Sequence, residues 1–187
     1  MPLKVLGISG SLRSDSYNRK VLQIAKIIAT DLGAEVSEID LKELNLPIYD
    51  GDVESAGIPE SVQKLKAAIS AADVLLIASP EYNYSVSGAL KNAIDWASRP
   101  HGNNSLDGKF AAIFGVSIGS FGTLRGQYHL REILFALNVS VLPQPQVFIG
   151  PSSDAFNPDG SLKNEKTVES LKSLIQKTFE AAGKLKS

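Results

Sequence analysis

The chain has 187 residues, which against roughly 150 residues per domain points to one domain with a core large enough to need no metal or disulfide. Apolar residues make up 43% and charged residues 21%, so wholesale disorder is excluded, and 19 basic against 20 acidic residues leave a net charge of −1. That balance carries no electrostatic footprint for nucleic acid or an anionic membrane, and any anionic ligand has to be met by a local site. With no cysteine, a disulfide scaffold, a zinc–cysteine or iron–sulfur site and any thiol redox cycle are excluded. His101 and His129 are the only histidines, too few for a histidine-rich metal site. No apolar run reaches the roughly 20 residues of a membrane span, and Val5-Leu6-Gly7-Ile8 is too short for a signal-peptide core. The expectation is a cytoplasmic protein.

In chain order, Val5–Ser9 is a short apolar run ended by Gly10, the pattern of a strand buried on both faces. Val21, Ile24, Ala25, Ile28 and Leu32 recur at helical spacing, with Gly33 placed to end the helix. Val36–Leu41 reads as a second strand. Pro59 opens a helix at its first position, with a stripe of Val62, Leu65, Ile69 and Ala72. Val74–Ala78 is a third, central strand; after the loop Ser79–Ser85, Leu90, Ala93, Ile94 and Ala97 form another helical stripe. Phe110–Ser117 is a fourth strand, followed by a helix marked by Leu130, Ile133, Leu134 and Leu137. Val139–Leu142 and Val147–Ile149 form a fifth, interrupted by Pro143 and Pro145 as at an edge or bulge. A turn at Asn157-Pro158-Asp159-Gly160 leads to a last helix with Val168, Leu171, Leu174, Ile175 and Phe179.

Strands alternating with helices imply right-handed crossovers and one parallel sheet covered on both faces, a single three-layer α/β domain over residues 1–187. Such sheets bind ligands beyond the carboxyl ends of their strands. After strand one, Ser9-Gly10-Ser11-Leu12-Arg13-Ser14-Asp15-Ser16-Tyr17-Asn18 gathers four serine hydroxyls, an amide and a guanidinium before a helix N-terminus. This suits a terminal phosphate; Ser16 or Asn18 alone could serve as a helix cap, but a cap needs one such residue and not seven. No Gly-Lys-Ser/Thr follows, so it is not a P-loop. Gly7-Ile8-Ser9-Gly10 lacks the dinucleotide fingerprint, and Asp40 falls too late for a ribose-binding acid. Ser79-Pro80-Glu81-Tyr82-Asn83-Tyr84-Ser85 offers a rigid platform for a planar ring, and Ser117-Ile118-Gly119-Ser120-Phe121-Gly122 a third loop that admits close backbone approach.

These loops together describe a mononucleotide site. Ser9-Gly10-Ser11-Leu12-Arg13 with Ser16 and Asn18, then Pro80–Ser85, then Leu90-Lys91-Asn92-Ala93-Ile94-Asp95-Trp96, resemble the NAD(P)H-dependent FMN reductases. This flavodoxin-like family includes quinone, chromate and azo-dye reductases, and the resemblance runs from strand one to about Gly150. It implies a five-stranded parallel sheet in the order 2-1-3-4-5. It also implies an FMN whose phosphate is held by Ser11, Arg13, Ser16 and Asn18, with Ser9 and Tyr17 nearby. Pro80, Glu81, Tyr82 and Asn83 would contact the flavin ring, largely through backbone atoms, and Ser117 and Gly119 would line its other side. The implied reaction passes a hydride from NADPH or NADH to FMN and electrons onward to quinones, with free flavin, azo or nitro compounds and chromate as further acceptors. The flavin does the redox step, so no catalytic residue of the chain is expected.

Two rivals are a flavodoxin-like electron carrier and a nicotinamide-only dehydrogenase. Carriers of that kind are strongly acidic, against a net charge of −1 here. His129 is expected at the surface or an interface, and Arg99 in an exposed loop near the ring. Leu90, Ile94 and Trp96 on more than one face of their helix, and Arg125, Gln127, Tyr128 and Arg131 on the next, suggest contact with a second copy. The expectation is a homodimer with the flavin at the interface, with a tetramer as its further assembly.

Overall fold

The computed structural model describes residues 1–184. Its first strand is β1 (Lys4–Ser9), followed by α1 (Tyr17–Asp31), β2 (Glu35–Ile39), α2 (Leu41–Leu44), α3 (Gly51–Ala56) and α4 (Glu60–Ala71). Then come β3 (Val74–Ala78), the two-residue strands β4 (Glu81–Tyr82) and β5 (Ser85–Val86), and α5 (Gly88–Ala97). The chain continues through β6 (Phe110–Val116), α6 (Leu124–Ala136), β7 (Ser140–Val141), β8 (Val147–Ile149), a 3-10 turn at Ser152–Asp154 and α7 (Glu165–Lys184).

The main sheet runs β2-β1-β3-β6-β7, all parallel, and β8 also pairs with β6. β7 lies beside Phe110–Ala111 and β8 beside Phe114–Val116, so the two are one edge strand broken at the prolines. Counted so, the order is the expected 2-1-3-4-5 of a flavodoxin-like fold. Side-chain alternation explains the layers. Leu75, Ile77, Ala111 and Ile113 face α4, α5 and α6, while Val74, Leu76, Ala78, Ala112 and Phe114 face α1 and α7. Every residue of β3 and of β6 is buried, as central parallel strands require. No helix among the described residues is long and apolar enough to cross a membrane.

Several boundaries differ from the expected ones, each for a local reason. β2 ends at Ile39 because the Asp40 carboxylate accepts from Lys42 N–H at 2.8 Å and caps α2. Pro59 is the residue before α4 and not its first helical one. Leu90, Ile94 and Trp96 do not leave a face of α5 for a partner. All three are buried in the chain's own core, and Trp96 Nε1 donates to Pro47 O at 2.8 Å while its ring meets Tyr49 edge-on. Gln127 is fully buried too, tying α6 to β8 through a 2.9 Å bond to Val147 O. Arg99 lies over the Tyr49 ring at 5.3 Å, which holds it near α5. His129 is exposed and its Nδ1 lies 3.0 Å from Ser85 Oγ.

Candidate functional site

The loop after β1 is built by its own hydroxyls. Ser9 Oγ, buried, accepts from Ser11 N–H at 3.3 Å and turns the chain back on itself. Ser16 is the N-cap of α1, its Oγ accepting from Asn18 N–H at 3.1 Å. A cap of this kind uses the oxygen and leaves the hydroxyl hydrogen to donate outward. Asn18, expected at the phosphate, also has partners within the chain. Its Nδ2 donates to Val116 O and its Oδ1 accepts from Val116 N–H, both at 2.9 Å, pinning the start of α1 to the end of β6.

The loop after β3 is a small hairpin. β4 and β5 are antiparallel, and Asn83 and Tyr84 between them have φ of 49° and 65°. Two successive left-handed residues make the turn that matches the twist of a two-residue hairpin. Glu81 anchors it: Oε2 accepts from Gly126 N–H at 2.9 Å, in the first turn of α6, where Thr123 gives no side-chain cap. A Cβ at Gly126 would come within 3.1 Å of Ser85 O, so the hairpin seats directly on the helix backbone. Pro80 closes the base of this wall. In the third loop, Ser117 Oγ accepts from Gly119 N–H at 3.3 Å, and Ser152 N–H donates to Ser117 O.

The three loops converge on one cleft of about 210 Å³ lined by Ser11, Arg13, Ser16, Tyr17, Asn18, Pro80, Glu81, Tyr82, Val116, Ser117 and Ile118. Of the expected site residues, Ser9 lies behind this wall, and Asn83 and Gly119 sit on exposed loop tips beyond it. Val116 and Ile118 were missed; both adjoin Ser117 at the carboxyl end of β6, where topology alone points. Lys42 was missed as well. It reaches from α2 to Ser14 Oγ at 3.1 Å and brings a second cation to the first loop, with no sequence signal. A larger cavity of about 530 Å³ lies between Leu12, Leu41, Leu46–Tyr49 and α5, but its lining is mostly apolar and shares no residue with the cleft.

The cleft's charges favour an anion at the α1 end. Arg13 is exposed and has no ion pair among the described residues, and α1 points its N-terminal N–H groups the same way. The two acids close by are spent elsewhere. Asp15 pairs with Lys20 at 2.7 Å, whose hydrogen bond holds its carboxyl below the usual range, and Glu81 is on Gly126. Asp40 is likewise held low by hydrogen bonds from Arg19, a bidentate pair at 2.7 Å that braces α1 against α2. Tyr17 stacks on Phe156 with ring centroids 5.7 Å apart, which steadies its ring at the α1 end. Hydroxyl donors with a free guanidinium at one end, and flat proline, tyrosine and isoleucine walls at the other, fit a phosphate joined to a planar heterocycle, which is the chemistry of FMN.

A flavodoxin-like sheet with such a cleft defines a flavin-mononucleotide protein. Residues 3–154 match the family model for NADPH-dependent FMN reductase. The chain is 47% identical over 175 residues to an NAD(P)H-dependent FMN reductase of Pseudomonas aeruginosa, covering 93% of this chain and 92% of the relative. It is 41% identical to the NAD(P)H:quinone oxidoreductase of Solanum tuberosum, covering 98% of this chain and 95% of that one. Among solved structures, the flavoenzyme NAD(P)H:(acceptor) oxidoreductase of Paracoccus denitrificans superposes with a TM-score of 0.85 at 36% identity, covering 97% and 98% of the two chains. The chain belongs to the NADPH-dependent FMN reductase family, and is an FMN-dependent oxidoreductase that draws electrons from NAD(P)H.

Proposed function

We propose that this enzyme reduces quinones, and other small acceptors able to reach the same ring, at an FMN seated in the cleft of the three loops. The observation that carries the reading is the convergence of hydroxyls, an unpaired Arg13 and flat apolar walls on one cleft at the carboxyl edge of β1, β3 and β6. Bound there, the flavin would supply the redox chemistry, hydride acceptance from the nicotinamide and electron transfer to the acceptor. The chain's own residues bind and orient. Ser11, Ser16 and Arg13 hold the phosphate, Pro80, Glu81 and Tyr82 support one side of the ring, and Ser117 with Ile118 supports the other. Ser9 holds the first loop in shape behind them, and Asn18, on the cleft wall, ties α1 to β6. Asn83 and Gly119, on the loop tips at the rim, would add ring contacts from there. Quinones are favoured by the likeness to the potato quinone oxidoreductase, while azo dyes, nitro compounds, chromate and free flavin share the requirement for an open ring face.

Titrating the apoprotein with FMN tests the reading and its residues together. Wild type takes up one FMN and turns yellow. Arg13→Ala loses a charge-assisted contact of about 1.5–3 kcal/mol, so its Kd rises by about 10- to 100-fold while its thermal stability stays unchanged. A wild-type protein that stays colourless with added FMN overturns the proposal.

The cleft's rim, with Tyr82, Ile118 and Phe121 48%, 84% and 67% exposed, has no outer wall of its own. We propose that a second copy supplies it, in a homodimer that can pair into a tetramer, working in the cytoplasm. Sedimentation equilibrium at micromolar concentration should give at least twice the 20.0 kDa chain mass, and a fully active monomer contradicts it.

A further inference from the structure

The cavity of about 530 Å³ beside the first loop takes no part in holding the flavin. Leu12 and Ile48 stand on one side of it, and a face of α5 with Gly88, Lys91 and Asp95 on the other. The hollow is firmly built. Asn92 Oδ1 accepts from Tyr49 N–H at 2.8 Å and Nδ2 donates to Pro47 O at 2.9 Å, which fixes the segment 46–49 to α5. Its apolar edges stay open: Leu12 and Ile48 are 44% and 85% exposed, and nothing lies within 4 Å of a Cβ placed at Gly88. Helix α5 therefore presents this face to solvent while Leu90, Ile94 and Trp96 face the core.

Lys91 and Asp95 are the charged residues that line the hollow, one helical turn apart and paired at 2.7 Å, with side chains 44% and 37% exposed. An exposed pair of this kind contributes little to its own helix. Between molecules the same two charges carry more information. A two-fold contact brings one surface against itself, so each residue that meets a second is met by it in return. Laying α5 antiparallel on its copy sets Lys91 against Asp95 of the partner subunit, and Asp95 against the partner's Lys91. One base and one acid on a single face are thus their own complement, which a foreign partner would not require. Leu12 and Ile48 beside them supply apolar surface to be desolvated, as the centre of an interface needs. Leu12 also falls between Ser11 and Arg13, so a copy seated here backs the loop that holds the phosphate.

We infer that a second copy of this chain docks on this hollow about a two-fold axis, with Lys91 and Asp95 of each α5 paired across the contact. This rests on the homodimer proposed above and names its surface. Lys91→Glu leaves two acids on the face and Asp95→Lys leaves two bases, so each variant alone meets its own copy with like charges. Either one should raise the dissociation constant about 100-fold or more, read in sedimentation equilibrium at micromolar concentration as a fall to half the wild-type mass. An equimolar mixture of the two variants should return to the wild-type mass, because the acidic face of one fits the basic face of the other. Mixing cannot mend the pair within either helix, so recovery reports contact between copies alone. Single variants that keep the wild-type mass overturn the inference and leave the homodimer standing on another surface. Variants that dissociate and stay apart when mixed overturn the pairing of Lys91 with Asp95 across the axis, and the inference with it. A wild-type protein that sediments as a monomer overturns the homodimer itself.

Discussion

Gly115→Ala should lower stability by about 3 kcal/mol or more, a fall of about 10 °C in melting temperature for a chain of this size, and should weaken FMN binding as well. Gly115 is next to last in β6. A Cβ there would stand 2.1 Å from Ser79 O and 2.6 Å from Thr123 Oγ1. The first of these is backbone, so no rotamer change relieves it; β3 and β6 would have to part at the end where the ring site begins. Ser79 N–H donates to Phe114 O at 2.8 Å, which fixes the very pair of strands that would be pushed apart. Displacing Ser79 carries Pro80 with it, hence the expected loss of FMN affinity. Gly183→Ala is the matched control. Nothing lies within 4 Å of its Cβ in α7, so alanine should be neutral or add about 0.5–1 kcal/mol by helix propensity. Differential scanning calorimetry of both variants checks the contrast. Equal melting temperatures would mean that the close strand contact does not exist in solution.

Asn18→Ala should cost about 2–4 kcal/mol, because it strands the buried N–H and C=O of Val116 at once. The effect on FMN should be indirect and large. Asn18 is the strut that holds the phosphate-binding end of α1 against the ring-binding end of β6, and without it the two halves of the cleft drift independently. Chemical denaturation reports the first effect and FMN titration the second. A variant with wild-type stability and merely weaker FMN binding would restore Asn18 to the direct phosphate contact that its sequence position suggests.

Asn18 also marks where the sequence stops being legible. The alternation of apolar runs with helical stripes identifies every main strand, and β3 occupies Val74–Ala78 as expected, because a central parallel strand must be apolar throughout. The serines and Arg13 are legible as a phosphate site because so many short polar donors precede a helix N-terminus. Whether an amide there faces a ligand or a strand 98 positions away depends on tertiary contacts that no local pattern encodes. The β4–β5 hairpin is hidden for a related reason: two-residue strands carry no periodicity, and a tyrosine gives no hint of a left-handed turn. Trp96 shows the opposite failure. Apolar residues on two faces of α5 resemble an interface until Pro47 and Tyr49 of the preceding segment fold over the second face. Glu81 lines the cleft as expected, but that its carboxylate also caps α6 from another element is not legible in the sequence.

Direct oxidation of NAD(P)H through an FMN in its own cleft is what separates this chain from a flavodoxin-like carrier with the same sheet. Anaerobic stopped-flow mixing of the FMN-loaded protein with NADPH or NADH measures that step alone. The visible flavin absorbance should bleach with a rate that saturates in nicotinamide cofactor, and a quinone added afterwards should restore it. Flavin that stays oxidised in the presence of both nicotinamide cofactors, in a protein that holds FMN firmly, would contradict the account and make this molecule a carrier.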